Sequence, residues 1–435
     1  MKTEVDATPC VSRASSSAVP SPRVWLVLTV LLLVNSVLRG IRAPGRWAYT
    51  EILLNYDFGF SKRALQGAII SMINTPALYH YSFCFWYSFA VFAVNLLLLM
   101  ELLKGLCFTQ GSAAKRAVLL FSSSLAIVVL SHTVGYADQV ALLVTLLALR
   151  TRSFYRRCLL VAVLFPVALL IHETEFVLFF PVVAFRFVIE LDVGSERRKL
   201  LAFSAVCSCV LATLLCVGYT HMSQAAADFM YREVQQRADF PLRKDEFFMI
   251  TSTFRDNLNV QFAAWRDSDF VRFSIYCLIV TLPTTIYLLR ESILVLATGG
   301  RSLLIRFVAV MASLAPLSMF LIGADLNRWT TLAITASFLV LATVMLDRPL
   351  GQSTEKRTRS WVVTAVLVAL NLGSSIPLFD GYIVQNFPYE ELIDDVTDVL
   401  RGTAPFPPKP EQCVEVGCLT VTDGIHPRSA VAEKK

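Results

Sequence analysis

Two apolar runs in this chain are longer than one membrane crossing needs. Ala117–Leu149 holds 33 residues and Cys158–Ile189 holds 32. As single straight helices each would extend about 50 Å, against a hydrocarbon core of ~30 Å. Both runs carry polar residues where a break would fall. The first is interrupted at His132-Thr133-Val134-Gly135-Tyr136-Ala137-Asp138, the second at His172-Glu173-Thr174-Glu175. A carboxylate in hydrocarbon costs several kcal/mol, so such residues lie at a membrane surface, in a watery cavity or beside a partner charge. Each run therefore reads as two short spans joined by a turn.

The remaining apolar blocks, at Val24–Leu38, Tyr81–Leu103, 200–219, 271–289, 303–322, 329–346 and 361–378, bring the expected count to eleven. Only 17% of residues are charged, where a soluble protein averages about a quarter. The apolar runs are continuous, unlike the roughly ten-residue alternating strands of a membrane barrel. The fold class is all-α, a polytopic transmembrane helical bundle. The net charge of +6 does not call for nucleic acid, because the basic residues sit at span ends.

Orientation follows Lys and Arg in short loops. With both long runs split, the basic connections 104–116, 150–157, 190–199, 290–306 and 347–360 fall on one side. That side is read as cytoplasmic, with the N-terminus in and the C-terminus out. Residues 1–23 read as a disordered cytoplasmic segment, 24–378 as the membrane domain and 379–435 as an extracytoplasmic tail. The outer connection 39–80 carries Arg39, Arg42, Arg46, Lys62 and Arg63 against the usual bias, and anion binding is a natural reason. The outer connection 220–270 reads as two amphipathic helices, Ser223–Ala238 and Asp245–Ala264. Phe229, Met230, Phe247, Phe248 and Phe262 are available there to lie on the membrane surface. A further short helix is expected at Tyr389–Leu400. Of ten cysteines, only Cys413 and Cys418 look like a disulfide pair.

The chemically equipped residues collect on the outer side in this topology. Asn55-Tyr56-Asp57-Phe58-Gly59-Phe60-Ser61-Lys62-Arg63 places a carboxylate, aromatic faces and two cations close together. Phosphate suits Lys62 and Arg63, and Asp57 suits a general base for a hydroxyl. In the turn Gly323–Trp329, Arg328 either pairs with Asp325 three residues away or, shielded by Trp329, presents its fork to a phosphate. His172 with Glu173 could supply a base and an orienting carboxylate, Glu175 less so. Asp138 is a weaker candidate, since an acid heading a helix is ordinary. A zinc site built on His132 and His172 has no ligand spacing behind it, and no nucleotide or hydrolase motif occurs. No metal or cofactor is expected.

Tyr56-Asp57-Phe58-Gly59-Phe60 with Lys62-Arg63, then Asp138, Ile171-His172-Glu173 and Asp325…Arg328-Trp329, resembles bacterial polytopic envelope-polysaccharide proteins. These are the O-antigen and exopolysaccharide polymerases (Wzy- or EpsG-like) and, more broadly, GT-C-class membrane glycosyltransferases. The resemblance implies a multi-pass protein of the bacterial inner membrane that acts on polyprenyl-(di)phosphate-linked sugars at the extracytoplasmic face. It implies phosphate-holding roles for Arg63 and Arg328 and a base role for Asp57. The adjacent acid usual in the GT-C first loop is missing beside Asp57. A transporter or flippase of a lipid-linked or anionic substrate, and a non-catalytic membrane scaffold, remain as alternatives.

Overall fold

The computed structural model describes residues 21–108, 111–193, 196–346, 358–379 and 389–402. Among these residues every regular element is a helix. Helix α1 (Pro22–Leu38) starts on a proline, whose missing N–H costs nothing in a first turn. The connection 39–80 contains α2 (Arg46–Leu53), α3 (Leu65–Ile73) and a short 3-10 turn at Pro76–Tyr79, ahead of α4 (Tyr81–Phe108).

Both overlong runs break where the polar residues sit. The first divides into α5 (Ser112–Ser122), α6 (Leu125–His132) and α7 (Asp138–Arg150). The second divides into α8 (Phe154–Ile171), α9 (Glu175–Leu178) and α10 (Phe180–Val193). An additional bend of 44° separates α5 from α6. Its cause is local: the Ser123 and Ser124 hydroxyls donate to the Leu120 and Phe121 carbonyls at 3.1 and 2.7 Å, competing with the helix ladder.

The chain continues through α11 (Arg197–Tyr219), α12 (Gln224–Arg237), α13 (Lys244–Thr251) and α14 (Phe254–Ala264). The single helix expected over Asp245–Ala264 is two, because Thr253 starts a new one. Its hydroxyl accepts from the Asp256 N–H at 3.2 Å while Asp256 accepts the Thr253 N–H at 2.9 Å, a reciprocal cap. There follow α15 (Ser268–Thr298), α16 (Leu303–Leu314) with a 3-10 continuation to Leu321, α17 (Leu326–Leu346), α18 (Thr358–Gly373) and α19 (Tyr389–Leu400).

Among the described residues six helices are long and apolar enough to cross a membrane: α4, α8, α11, α15, α16 with its continuation, and α17. The bent α5–α6 pair makes a seventh. Eleven were expected, and the difference lies in four shorter helices: α1, α7, α10 and α18, at 17, 13, 14 and 16 residues, rise only about 20–25 Å as helix. Helix α17 is buried along nearly its whole length, as a helix apolar on all sides must be. By contrast, α11 shows Leu200, Leu201, Leu211 and Leu215 at the surface, as a lipid-facing helix does.

The connections 39–80 and 220–270 do not lie apart. They pack on each other in a second apolar cluster containing Tyr49, Leu53, Tyr79, Met230 and Phe247, joined by Val399 of α19. This changes the reading of the aromatic residues. Phe229 and Phe262 are exposed, but Met230 and Phe247 are buried. A neighbouring protein face removes as much apolar area from water as a lipid surface does. The disulfide expected between Cys413 and Cys418 lies outside the described residues.

Gly135 is held at φ +91° in the break between α6 and α7, a region that disfavours side chains. A Cβ there would meet Ser88 Oγ at 2.9 Å and the Cβ atoms of Ala48 and Pro44 at 3.1 Å. Gly135→Ala is expected to cost about 1–3 kcal/mol through overpacking, plus the left-handed backbone penalty. A thermal scan in detergent checks this; an unshifted melting temperature would mean the break adapts freely.

Candidate functional site

Arg63 is the hub of a buried ionic cluster. Its backbone sits at φ +63°, an uncommon conformation for a residue with a side chain. The guanidinium forks onto Glu173, with Nε to Oε2 at 3.0 Å and Nη2 to Oε1 at 2.9 Å. Its third nitrogen, Nη1, donates to Glu246 Oε1 of α13 at a looser 3.3 Å. The neighbouring Lys62 ammonium donates to the Ser252 carbonyl at 2.9 Å. Lys62 is only 6% exposed, yet among the described residues no carboxylate lies within ion-pair distance of it. Burial accordingly lowers its pKa from the ordinary lysine value.

His172 ends α8 by turning to extended backbone, φ −159°. Its Nδ1 faces the Thr174 hydroxyl at 2.6 Å and accepts the Thr174 N–H at 3.3 Å. The ring proton therefore belongs on Nε2, which faces Glu51 Oε1 of α2 at 3.6 Å, close but beyond hydrogen-bond length. Burial first, and then the Arg63 charge, push the His172 pKa well below its ordinary value, so the imidazole is neutral. Burial pushes Glu173 the opposite way, but the Arg63 charge and hydrogen bonds, with His172, outweigh it and hold that carboxylate well below the usual range.

The second cation enters from α17. Arg328 donates from Nε to Asp138 Oδ2 at 2.6 Å and from Nη2 to Asp138 Oδ1, while Nη1 reaches Asp325 Oδ2 at 3.3 Å. Its guanidinium carbon lies 4.7 Å from the Trp329 ring centre and 5.4 Å from that of Tyr136. Arg328 thus pairs with Asp325, one of the two readings open in the sequence, but Asp138 takes the better bond, and Trp329 packs against the guanidinium. Glu175 lies beside Asp138, fully buried, and no donor reaches either of its oxygens. Two carboxyl groups in contact need a proton between them. Burial, followed by the Asp138 charge, raises the Glu175 pKa well above normal, so Glu175 is the group that holds it.

The Arg63 and Arg328 groups form one electrostatic unit. Both charges bear on His172 and on Glu51. Burial, then the facing Glu246, raises Glu51; burial also raises Glu246. Six acids (Glu51, Asp138, Glu173, Glu175, Glu246, Asp325) face three cations (Lys62, Arg63, Arg328). Burial pushes Glu51, Glu175, Glu246 and Asp325 toward the neutral form, which offsets the excess of acids over cations.

Of the residues singled out from sequence, the fold brings together Lys62, Arg63, Asp138, His172, Glu173, Asp325, Arg328 and Trp329. Asp57 stands apart. It is exposed, and its carboxylate accepts from the Ser71 hydroxyl at 3.0 Å. His132 is also separate, its ring nitrogens facing the Gly40 and Phe379 carbonyls at 2.9 and 3.2 Å as a strut between segments. Sequence reasoning missed Glu51, Glu246 and Tyr136 as partners. Glu51 had a readable signal, as the one acid in the apolar stretch Trp47–Leu54. Glu246 had none, because an acid in the first turn of a helix is ordinary. No group of three or more His, Cys, Asp or Glu residues among the described residues is arranged to hold a metal ion.

Fold and site together define an all-helical protein with several membrane-length helices and a buried ionic cluster at its helix breaks. Comparison with protein-family models, with curated proteins and with solved structures finds no match.

Proposed function

We propose that this chain is an eleven-span integral membrane glycosyltransferase or polysaccharide polymerase that takes polyprenyl-(di)phosphate-linked sugars at the extracytoplasmic face of a bacterial inner membrane. One observation carries this reading. Residues from three distant stretches, Lys62-Arg63, His172-Glu173 and Asp325…Arg328, come together in one buried ionic cluster to which the two long connections add Glu51 and Glu246. Chemically the cluster offers what glycosyl transfer asks for: cations to stabilise charge developing on a leaving phosphate, and a base for the acceptor hydroxyl.

In this reading Lys62 and Arg63 hold the (di)phosphate. Arg328 adds positive potential while fixing Asp138 and Asp325. The base is Glu173, whose side chain is 18% exposed, with neutral His172 beside it. Asp57, exposed and away from the cluster, gives up that role.

The test is reconstitution of the full chain in liposomes with a polyprenyl-diphosphate-linked oligosaccharide, followed by mass spectrometry of the lipid-linked products. Wild type is expected to lengthen the glycan. Arg63→Lys, which keeps the charge but loses the two-pronged fork, is expected to lower the rate about 100-fold or more. Equal rates in the two proteins would refute the role of Arg63, and no product from a range of saccharide donors would refute the transferase.

A second reading, a transporter, is favoured by one feature: the broken helices α6–α7 and α8–α10 meet at buried charges, as discontinuous helices do at transporter binding sites. Liposome flux of the same lipid-linked saccharide without chain lengthening would select it.

A further inference from the structure

Lys62 and Arg63 contact the same short stretch of the second long connection. Glu246, in the first turn of α13, takes Arg63 Nη1 at 3.3 Å. The Ser252 carbonyl, just past the end of α13, takes Lys62 Nζ at 2.9 Å. Neither contact is a strong match. The Arg63–Glu246 bond is single and long, beside a two-pronged pair with Glu173 at 2.9 and 3.0 Å. The other Glu246 oxygen is buried and receives no donor. Lys62 has a neutral carbonyl where a buried ammonium calls for an anion, and leaving it so is costly. A small anion with several acceptor oxygens would satisfy Arg63 Nη1 and Lys62 Nζ together, while Glu173 keeps the guanidinium aimed.

Resting on the reading of this cluster as a phosphate site, we infer that α13 is an internal plug: Glu246 and the Ser252 carbonyl occupy the seat of a phosphate or diphosphate group on Arg63 and Lys62, and that group enters by displacing them. Entry then releases residues 246–252 from the cluster and loosens the packing between the two long connections, which is how a bulky acceptor glycan would gain access. The direction of exchange follows from chemistry: a phosphate gives each cation a charged partner with several oxygens, which the single Glu246 contact and the neutral Ser252 carbonyl do not.

Hydrogen exchange and calorimetry on the full-length chain in detergent, with inorganic pyrophosphate as probe, test this. Pyrophosphate is expected to raise amide exchange across residues 244–252 in the wild type. Glu246→Gln, which weakens the plug, is expected to bind pyrophosphate about tenfold more tightly, since less of the protein is held in the closed form. Lys62→Met is expected to abolish binding. A parallel arm uses nanodiscs containing polyprenyl diphosphate. Release of 244–252 by pyrophosphate marks the seat as one for a free anion, and release by the lipid alone marks it as one for a lipid headgroup; either supports the plug. No release in either arm, or Glu246→Gln binding no better than wild type, overturns it. The wild-type exchange measurement decides the matter if a variant does not fold. Release of the plug without any glycan lengthening would leave this exchange standing and sink the transferase.

Discussion

Arg328→Ala is expected to lose about 3–5 kcal/mol of stability, the usual cost of removing one partner from a buried ion pair. Arg328 is 4% exposed and carries Asp138, itself 1% exposed, on two of its nitrogens. Without the guanidinium, Asp138 is left as a buried carboxylate beside Glu175, and both cannot ionise. The penalty belongs to the orphaned charge rather than to the bond, which makes a specific rescue possible. Adding Asp138→Asn to Arg328→Ala removes that charge and is expected to recover more than half of the loss, with a coupling of about 0.5–3 kcal/mol in the double-mutant cycle. Melting temperatures in detergent for the four proteins measure it. Additive losses would show that Arg328 acts through packing against Tyr136 and Trp329, independent of the pair. Glycan assembly is not expected to return with stability.

Arg63→Ala is expected to be as severe, about 3–5 kcal/mol, because Glu173 and Glu246 both lose their donor inside the protein. Here the backbone supplies a second measurable effect. Arg63 sits at φ +63°, where a Cβ is strained and glycine is not. Arg63→Gly removes the same charge without that strain, so it is expected to be more stable than Arg63→Ala by about 1 kcal/mol. The pair of variants separates the guanidinium from the backbone. Equal melting temperatures would mean the loop Asn55–Ala64 relaxes out of its left-handed turn once the ion pairs are gone. The order is reversed if alanine permits a new conformation of the loop that buries more apolar surface.

Much of the architecture was legible because bilayer physics is one-dimensional. The helix breaks at 133–137 and 172–174 follow from run length and from polar residues inside apolar stretches, and both appear where expected. The tail helix Tyr389–Leu400 is likewise present over the expected residues. The bend at Ser123–Ser124 was not foreseen. Serines in an apolar run pass as small residues until the Ser123 and Ser124 hydroxyls are seen returning to the preceding turn. The candidate site was half legible. Arg63, Lys62, His172, Glu173, Asp138 and Arg328 each stood out as charges in an oily or aromatic setting. Glu246 did not, since its exposure depends on how two loops 183 residues apart in sequence meet.

By itself, the sequence determined that the chain is helical, that its long apolar runs break at named positions, and that its charges are few and concentrated at those breaks, span ends and connections. These depend on local propensity and on the cost of placing a charge in hydrocarbon, both of which act residue by residue. Only the tertiary structure decided which charge faces which: that Arg63 takes Glu173 and Glu246, that Arg328 takes Asp138 ahead of Asp325, and that Asp57 is left outside. Ion pairing falls off steeply with distance once solvent intervenes, and distances between segments 110 to 190 residues apart are set by helix packing alone.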